Sequence, residues 1–91
     1  MNLTVEFLGI ARQLADSASC SLSVDEGATF RDVLSQLARR YPPLVGPVIV
    51  APSYDLQSDL RIVVDGMHQV TDLDAHPQEG QRLILMFGDA C

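Results

Sequence analysis

One stretch near the end of the chain constrains the fold most. Leu83-Ile84-Leu85-Met86-Phe87 is an unbroken apolar run, entered from Gly80-Gln81-Arg82 and followed by Gly88-Asp89-Ala90-Cys91. A run this short, opened by Gly, reads as a strand covered on both faces rather than as a helix. Such a strand sits in the middle of a sheet. It also leads directly into a short polar tail, which a rigid core strand can present to a partner.

The rest of the chain supplies what that strand needs. Leu3-Thr4-Val5-Glu6-Phe7-Leu8 alternates, with Leu3, Val5 and Phe7 on one face of a half-buried strand. Gly9 breaks the pattern, and Ala11, Leu14 and Ala15 follow at the spacing of a short helical turn. Cys20-Ser21-Leu22-Ser23-Val24 alternates again, so the first two strands pair antiparallel across a wide, partly helical connection. Cys20 falls on the inward face and reads as a small, inert core residue. Thr29 opens the clearest helix. Thr29 and Asp32 have capping-box spacing, and Phe30, Val33, Leu34, Leu37, Ala38 and Tyr41 form one continuous apolar stripe. Arg39 and Arg40 suit the negative end of the helix dipole, and Pro42-Pro43 stops the helix. Residues Leu44 to Leu60, punctuated by Gly46, Pro47 and Pro52, hold a short strand, a turn or a mobile loop. Leu60 to Val64 is strand-like, Asp65-Gly66 is a hairpin turn signal, and Met67 to Val70 is a short return arm.

With one full crossover helix, the first and last strands lie parallel at the centre of the sheet, joined in the right-handed sense. This order predicts an α+β fold of the β-grasp (ubiquitin-like) type: a mixed 4–5-stranded sheet with one main helix packed on one face. The 91 residues suffice for a single domain over 1–91, and 47% hydrophobic residues can fill one core without disulfides or metals.

Charge and composition narrow the function. The net charge is −6 and the chain has no Lys, which argues against nucleic acid, since phosphate neutralisation needs clustered cations. The acidic surface favours solubility and can steer the domain toward a basic partner. Without Lys, the domain cannot build isopeptide-linked chains on itself. No apolar stretch approaches the ~18 residues that cross a membrane, and Met1 to Phe7 lacks the basic start and apolar core of an export signal. Two Cys, one of them Cys91, make no disulfide framework, so a cytoplasmic, reduced setting is expected. His68 and His76 lack the paired spacing of a zinc site, and Asp72, Asp74 and Glu79 lack the pattern of a calcium loop. No nucleophile–base order and no phosphate loop is present. The expectation is therefore a chain with no catalytic residues, no metal and no cofactor of its own.

Taken together, the segments resemble the MoaD/ThiS branch of ubiquitin-like sulfur carriers, MoaD more than ThiS, over almost the whole chain. Val5-Glu6-Phe7-Leu8-Gly9-Ile10-Ala11-Arg12 is similar to the family's first strand and its F-x-x-x-R-E-L-A turn. Thr29 through Tyr41-Pro42 resembles the helix that ends in R-Y-P, and Val63-Val64-Asp65-Gly66 resembles V-N-G with Asp for Asn. Leu73 to Gly80 resembles the L-x-x-x-L-x-x-G-D approach to the last strand, with Gln81 in place of the Asp.

The resemblance implies a molybdopterin-synthase small-subunit-like carrier. An E1-like adenylating enzyme activates its terminal carboxylate, sulfur replaces oxygen, and the thiocarboxylate serves a larger catalytic subunit. Family members end in Gly-Gly, which has no side chains to obstruct a narrow channel; here the carrier tail reads Gly88-Asp89-Ala90-Cys91. Alternative readings are a non-catalytic β-grasp adaptor or subunit that keeps the docking surface without thiocarboxylate chemistry, and a tail in which Cys91 is itself the functional group. Alternation supplies a candidate docking surface. With Phe7, Ile62, Val64, Leu83, Leu85 and Phe87 inward, Leu8, Val63, Ile84 and Met86 lie on the outer face as one apolar patch. The competing expectation is that Leu44 to Leu60 folds over them.

Overall fold

The apolar run forms the axis of the molecule. In the computed structural model, which describes residues Met1–Phe87 and Phe87 by its backbone alone, strand β7 (Arg82–Phe87) is the middle strand of a five-stranded sheet. The tail residues Gly88, Asp89, Ala90 and Cys91 lie outside the described residues, as does the expected inward orientation of the Phe87 side chain. On one side β7 runs parallel to β1 (Asn2–Phe7), with Val5 opposite Leu83 and Phe7 opposite Leu85. On the other it runs antiparallel to β5 (Leu60–Val64), with Ile62 opposite Leu85. Strand β2 (Ser19–Ser23) pairs antiparallel with β1 and forms one edge; β6 (His68–Gln69) pairs with β5 and forms the other. The sheet order is therefore β2-β1-β7-β5-β6. This is the β-grasp arrangement, with its first and last strands parallel at the centre.

Helix α1 (Ile10–Ala15) occupies the connection between β1 and β2. It starts at Gly9, whose φ of 61° is costly for a residue with a Cβ, and so the strand turns sharply into the helix there. Helix α2 (Phe30–Arg40) packs its stripe onto the inner sheet face: Phe30, Val33, Leu34, Leu37 and Ala38 are all buried. They meet Leu3, Val5, Phe7, Leu22, Ile62, Val64, Leu83 and Leu85 in one core. Each large side chain contributes about 1.5–3 kcal/mol of burial. Tyr41, at the end of the stripe, is half-buried and sets its ring edge-on to Phe7, with centroids 5.3 Å apart.

The capping box is complete. The Thr29 hydroxyl accepts from the Asp32 N–H at 3.1 Å, and the Asp32 carboxylate accepts from the Thr29 N–H at 2.9 Å. The next two helix donors are met from further along the chain: Phe30 N–H donates to the Ala75 carbonyl and Arg31 N–H to that of Leu73. The 72–75 loop thus completes the start of α2.

Residues 44–60 are an ordered satellite of the core. A 3₁₀ turn (Pro42–Leu44) leads into a hairpin of β3 (Ile49–Val50) and β4 (Asp55–Leu56). Leu44, Val48 and Ile49 are fully buried in the main core, and the 3₁₀ turn packs on α1 and α2. The segment therefore lies with the helices on the inner side of the sheet, where its apolar residues find cover. It does not close over the outer face.

At the β5–β6 turn, Asp65 and Gly66 both have positive φ, 53° and 73°, and Met67 N–H closes the turn on the Val64 carbonyl. That pattern matches the twist of a hairpin. Asp65 also ties the turn to β7. Its N–H donates to the Arg82 carbonyl at 2.8 Å, and its carboxylate accepts from the Arg82 N–H at 3.1 Å.

Candidate functional site: the outer face of the central strands

The four residues expected on the outer face come from three neighbouring segments. Ile84 and Met86 alternate with the buried Leu83 and Leu85 along β7. Val63 lies directly opposite Ile84 on β5. Leu8 falls one residue past the end of β1, yet its N–H still donates to the Leu85 carbonyl at 3.0 Å, which holds it beside β7. Leu8 is 43% exposed, whereas Val63, Ile84 and Met86 are half-buried by their neighbours on the sheet.

Polar side chains frame this group. On the β1 side, Glu6 stands opposite Ile84, and its carboxylate lies 3.4 Å from the Arg82 guanidinium. On the β5 side, Arg61 stands opposite Met86 and donates to the Gln69 side-chain carbonyl at 2.9 Å. Beyond β1 the outer row becomes Ser19, Ser21 and Ser23 of β2, all exposed. Among the described residues the outer face is therefore apolar where β7 meets β5 and the residue after β1, with ionic groups on both flanks. Such a surface contributes through shape and apolar contact at its centre, while the rim charges set orientation. It lies on the strand that runs toward residues 88–91.

The other candidate groups fall elsewhere. Cys20 is buried on the inner side, and burial pushes its thiol pKa up, opposed more weakly by the Tyr41 hydroxyl and Arg40. That shift favours the thiol over the thiolate, and the burial agrees with the inward position that the alternation predicts. The same burial, with Cys20 beside it, raises the Tyr41 phenol. His68 and His76, distant in sequence, line one open groove with Phe30, Val64 and Asp72. The His76 Nδ1 lies 3.2 Å from the Ala28 carbonyl, which places its proton on that nitrogen. Among the described residues no group of three or more His, Cys, Asp or Glu is arranged to hold a metal, and no helix is long and apolar enough to cross a membrane.

One cluster had no signal in the sequence. Arg31, near the start of α2, donates to the carboxylates of Asp55 and Asp74 and to the Ser53 carbonyl. It fastens the β3–β4 hairpin and the 72–75 loop to one helix. The Arg31 bond holds the Asp55 carboxyl below its ordinary value, and the two carboxylates raise the guanidinium.

A five-stranded mixed sheet whose first and last strands are parallel neighbours, grasping one principal helix, defines a ubiquitin-like β-grasp protein. Known structures agree. The chain superposes on SAMP1 from Haloferax volcanii with a TM-score of 0.84 at 20% identity, covering 100% of this chain and 99% of that one. It is similar to a molybdopterin converting factor, subunit 1, from Pyrococcus furiosus, with a TM-score of 0.78 at 23% identity over 96% and 97% of the two chains. It is also similar to Urm1 from Trypanosoma brucei, with a TM-score of 0.73 at 17% identity over 99% and 94%. No protein-family model and no curated protein matches the sequence. At these identities the likeness establishes the fold, and that fold is the one the resemblance to the MoaD/ThiS branch implies.

Proposed function

We propose that this protein is a small carrier of the MoaD/ThiS kind, which docks on an E1-like adenylating enzyme and then on an acceptor subunit. The observation that supports the reading is positional. In the apolar centre of the outer face, Ile84 and Met86 belong to the strand that runs toward residues 88–91, and Val63 of β5 and Leu8 after β1 flank them. A partner that grips this face receives the tail at its own active site. Binding energy from the sheet is then used to position a terminal carboxylate that has little binding surface of its own. In the carrier reaction that carboxylate attacks the α-phosphate of ATP and releases pyrophosphate. A sulfide-level donor then displaces AMP from the acyl adenylate, leaving a thiocarboxylate. The carrier contributes the acyl group, and the partner contributes the catalytic residues.

A second reading has its own support. Residues 88–91 carry one glycine, a carboxylate, Ala and Cys where carriers of this kind have two glycines. Asp89 adds negative charge beside the ATP phosphates, and its side chain adds bulk in a narrow channel. An adaptor that keeps the docking face and has lost the sulfur chemistry fits that composition. Intact mass measured after incubation with the cognate E1-like enzyme, ATP and a sulfur donor separates the two. A gain equal to one sulfur-for-oxygen exchange supports the carrier. An unchanged mass with stable binding to a larger subunit supports the adaptor.

A further inference from the structure

The two edges of the sheet are protected by different means. Edge strands expose N–H and C=O groups that template pairing with another chain, and natural proteins blunt them with short strands, Lys, Pro or bulges. The β6 edge is short, only His68–Gln69. The β2 edge, Ser19-Cys20-Ser21-Leu22-Ser23, has no charge, no Pro and no bulky outward residue. Its ordinary guards are missing.

Its register shows which groups face outward. Phe7 N–H donates to the Ala18 carbonyl and Val24 N–H to that of Met1, so Ala18, Cys20, Leu22 and Val24 direct their backbone groups at β1. By alternation, the backbone groups of Ser19, Ser21 and Ser23 point away from the sheet. Each of those three carbonyls is occupied by a side chain. The Ser17 hydroxyl donates to the Ser19 carbonyl at 2.8 Å, the Arg40 guanidinium to that of Ser21 at 3.0 Å, and the Gln36 amide to that of Ser23 at 3.4 Å. Two of the caps reach across from α2, from the side chains at i and i+4 that share one helix face.

We infer that β2 is a latent pairing edge for a second copy of this chain, held shut by Arg40, Gln36 and Ser17. The strand is self-complementary. Antiparallel pairing about Ser21 sets Ser21 against Ser21 and Ser19 against Ser23, all in the outward-bonding phase, with only small hydroxyls on the outer face. A partner strand's N–H groups need the same three carbonyls that the caps occupy, so pairing competes with Arg40, Gln36 and Ser17 for them. The inference is independent of the carrier reading.

The test is the oligomeric state of the full chain, by sedimentation equilibrium, with backbone amide exchange at Ser19, Ser21 and Ser23. The wild type is expected to be monomeric. The double variant Gln36→Ala/Arg40→Ala is expected to self-associate on the order of tenfold more tightly or better, with exchange at those three amides slowed as concentration rises. Adding Ser21→Pro, which removes an outward donor on an edge, should return it to monomer. Arg39→Ala, whose guanidinium among the described residues bonds within α2 to Ser35, should behave as wild type. The single variants Gln36→Ala and Arg40→Met are measured alongside, in case the double variant fails to fold. A folded cap variant that stays monomeric at every concentration would overturn the inference, as would a wild type that already dimerises through β2.

Discussion

At the scale of single residues, the useful contrast is between Cys20 and Arg31. Cys20 carries its placement in the local alternation Cys-Ser-Leu-Ser-Val, so its burial follows from five consecutive letters. In a Cys91→Ser variant, iodoacetamide at neutral pH should modify the native protein many times more slowly than the denatured protein. The physical reason is that burial keeps the thiolate fraction low. Equal rates would show an open, ionised thiol. The Thr29–Asp32 capping box was equally legible, because both partners fall within one helical turn. The Arg31 clamp was not. Its carboxylate partners lie 24 and 43 positions away, and only the folded chain brings three segments to one guanidinium.

At the scale of elements, the same distinction decides what was legible. The β1 and β5 strands and the α2 helix announce themselves by period, since each buries one continuous face or stripe, whereas β7 announces itself as an unbroken apolar run. The expected cover on both faces of β7 is found only on the inner one, where Leu83 and Leu85 are buried while Ile84 and Met86 are half-buried. The segment between Leu44 and Leu60 has no period. Its apolar residues Leu44, Val48 and Ile49 enter the core one at a time from a turn and a two-residue strand, so only tertiary contact reveals their direction. Leu85, 1% exposed at the centre of β7, should cost about 2–5 kcal/mol when replaced by Ala, read from urea or thermal unfolding. A loss below about 1 kcal/mol would mean that β7 is not the axis of the core. The clamp makes a pH-dependent prediction. Because Arg31 lowers the Asp55 carboxyl in the folded state, its stabilisation is present above the ordinary value of 3.8 and is lost as pH falls through the lower folded value. Wild type should therefore exceed Asp55→Asn in urea midpoint at neutral pH, and the two should converge under acid. A gap that persists in acid would place the effect outside this ionisation.

At the scale of the whole molecule, one sheet has two unlike faces and two guarded edges. The inner face is covered by α2, α1 and the 44–60 segment and both edges are blunted, so among the described residues the outer face of β7 and β5 is the broad sheet surface without cover, the one the proposed docking uses. Alternation along β1, β5 and β7 was enough to find its four apolar residues. It could not show how far their neighbours would bury them, nor the Glu6–Arg82 and Arg61–Gln69 pairs at its rim. Those depend on which strands become neighbours. The most direct measurement is intact mass of wild type and Met86→Arg side by side, after incubation with the cognate E1-like enzyme, ATP and a sulfur donor, with melting temperatures recorded for both. The account predicts one sulfur-for-oxygen exchange in wild type and its loss in Met86→Arg at an unchanged melting temperature. No exchange in wild type, or equal exchange in both proteins, would contradict it.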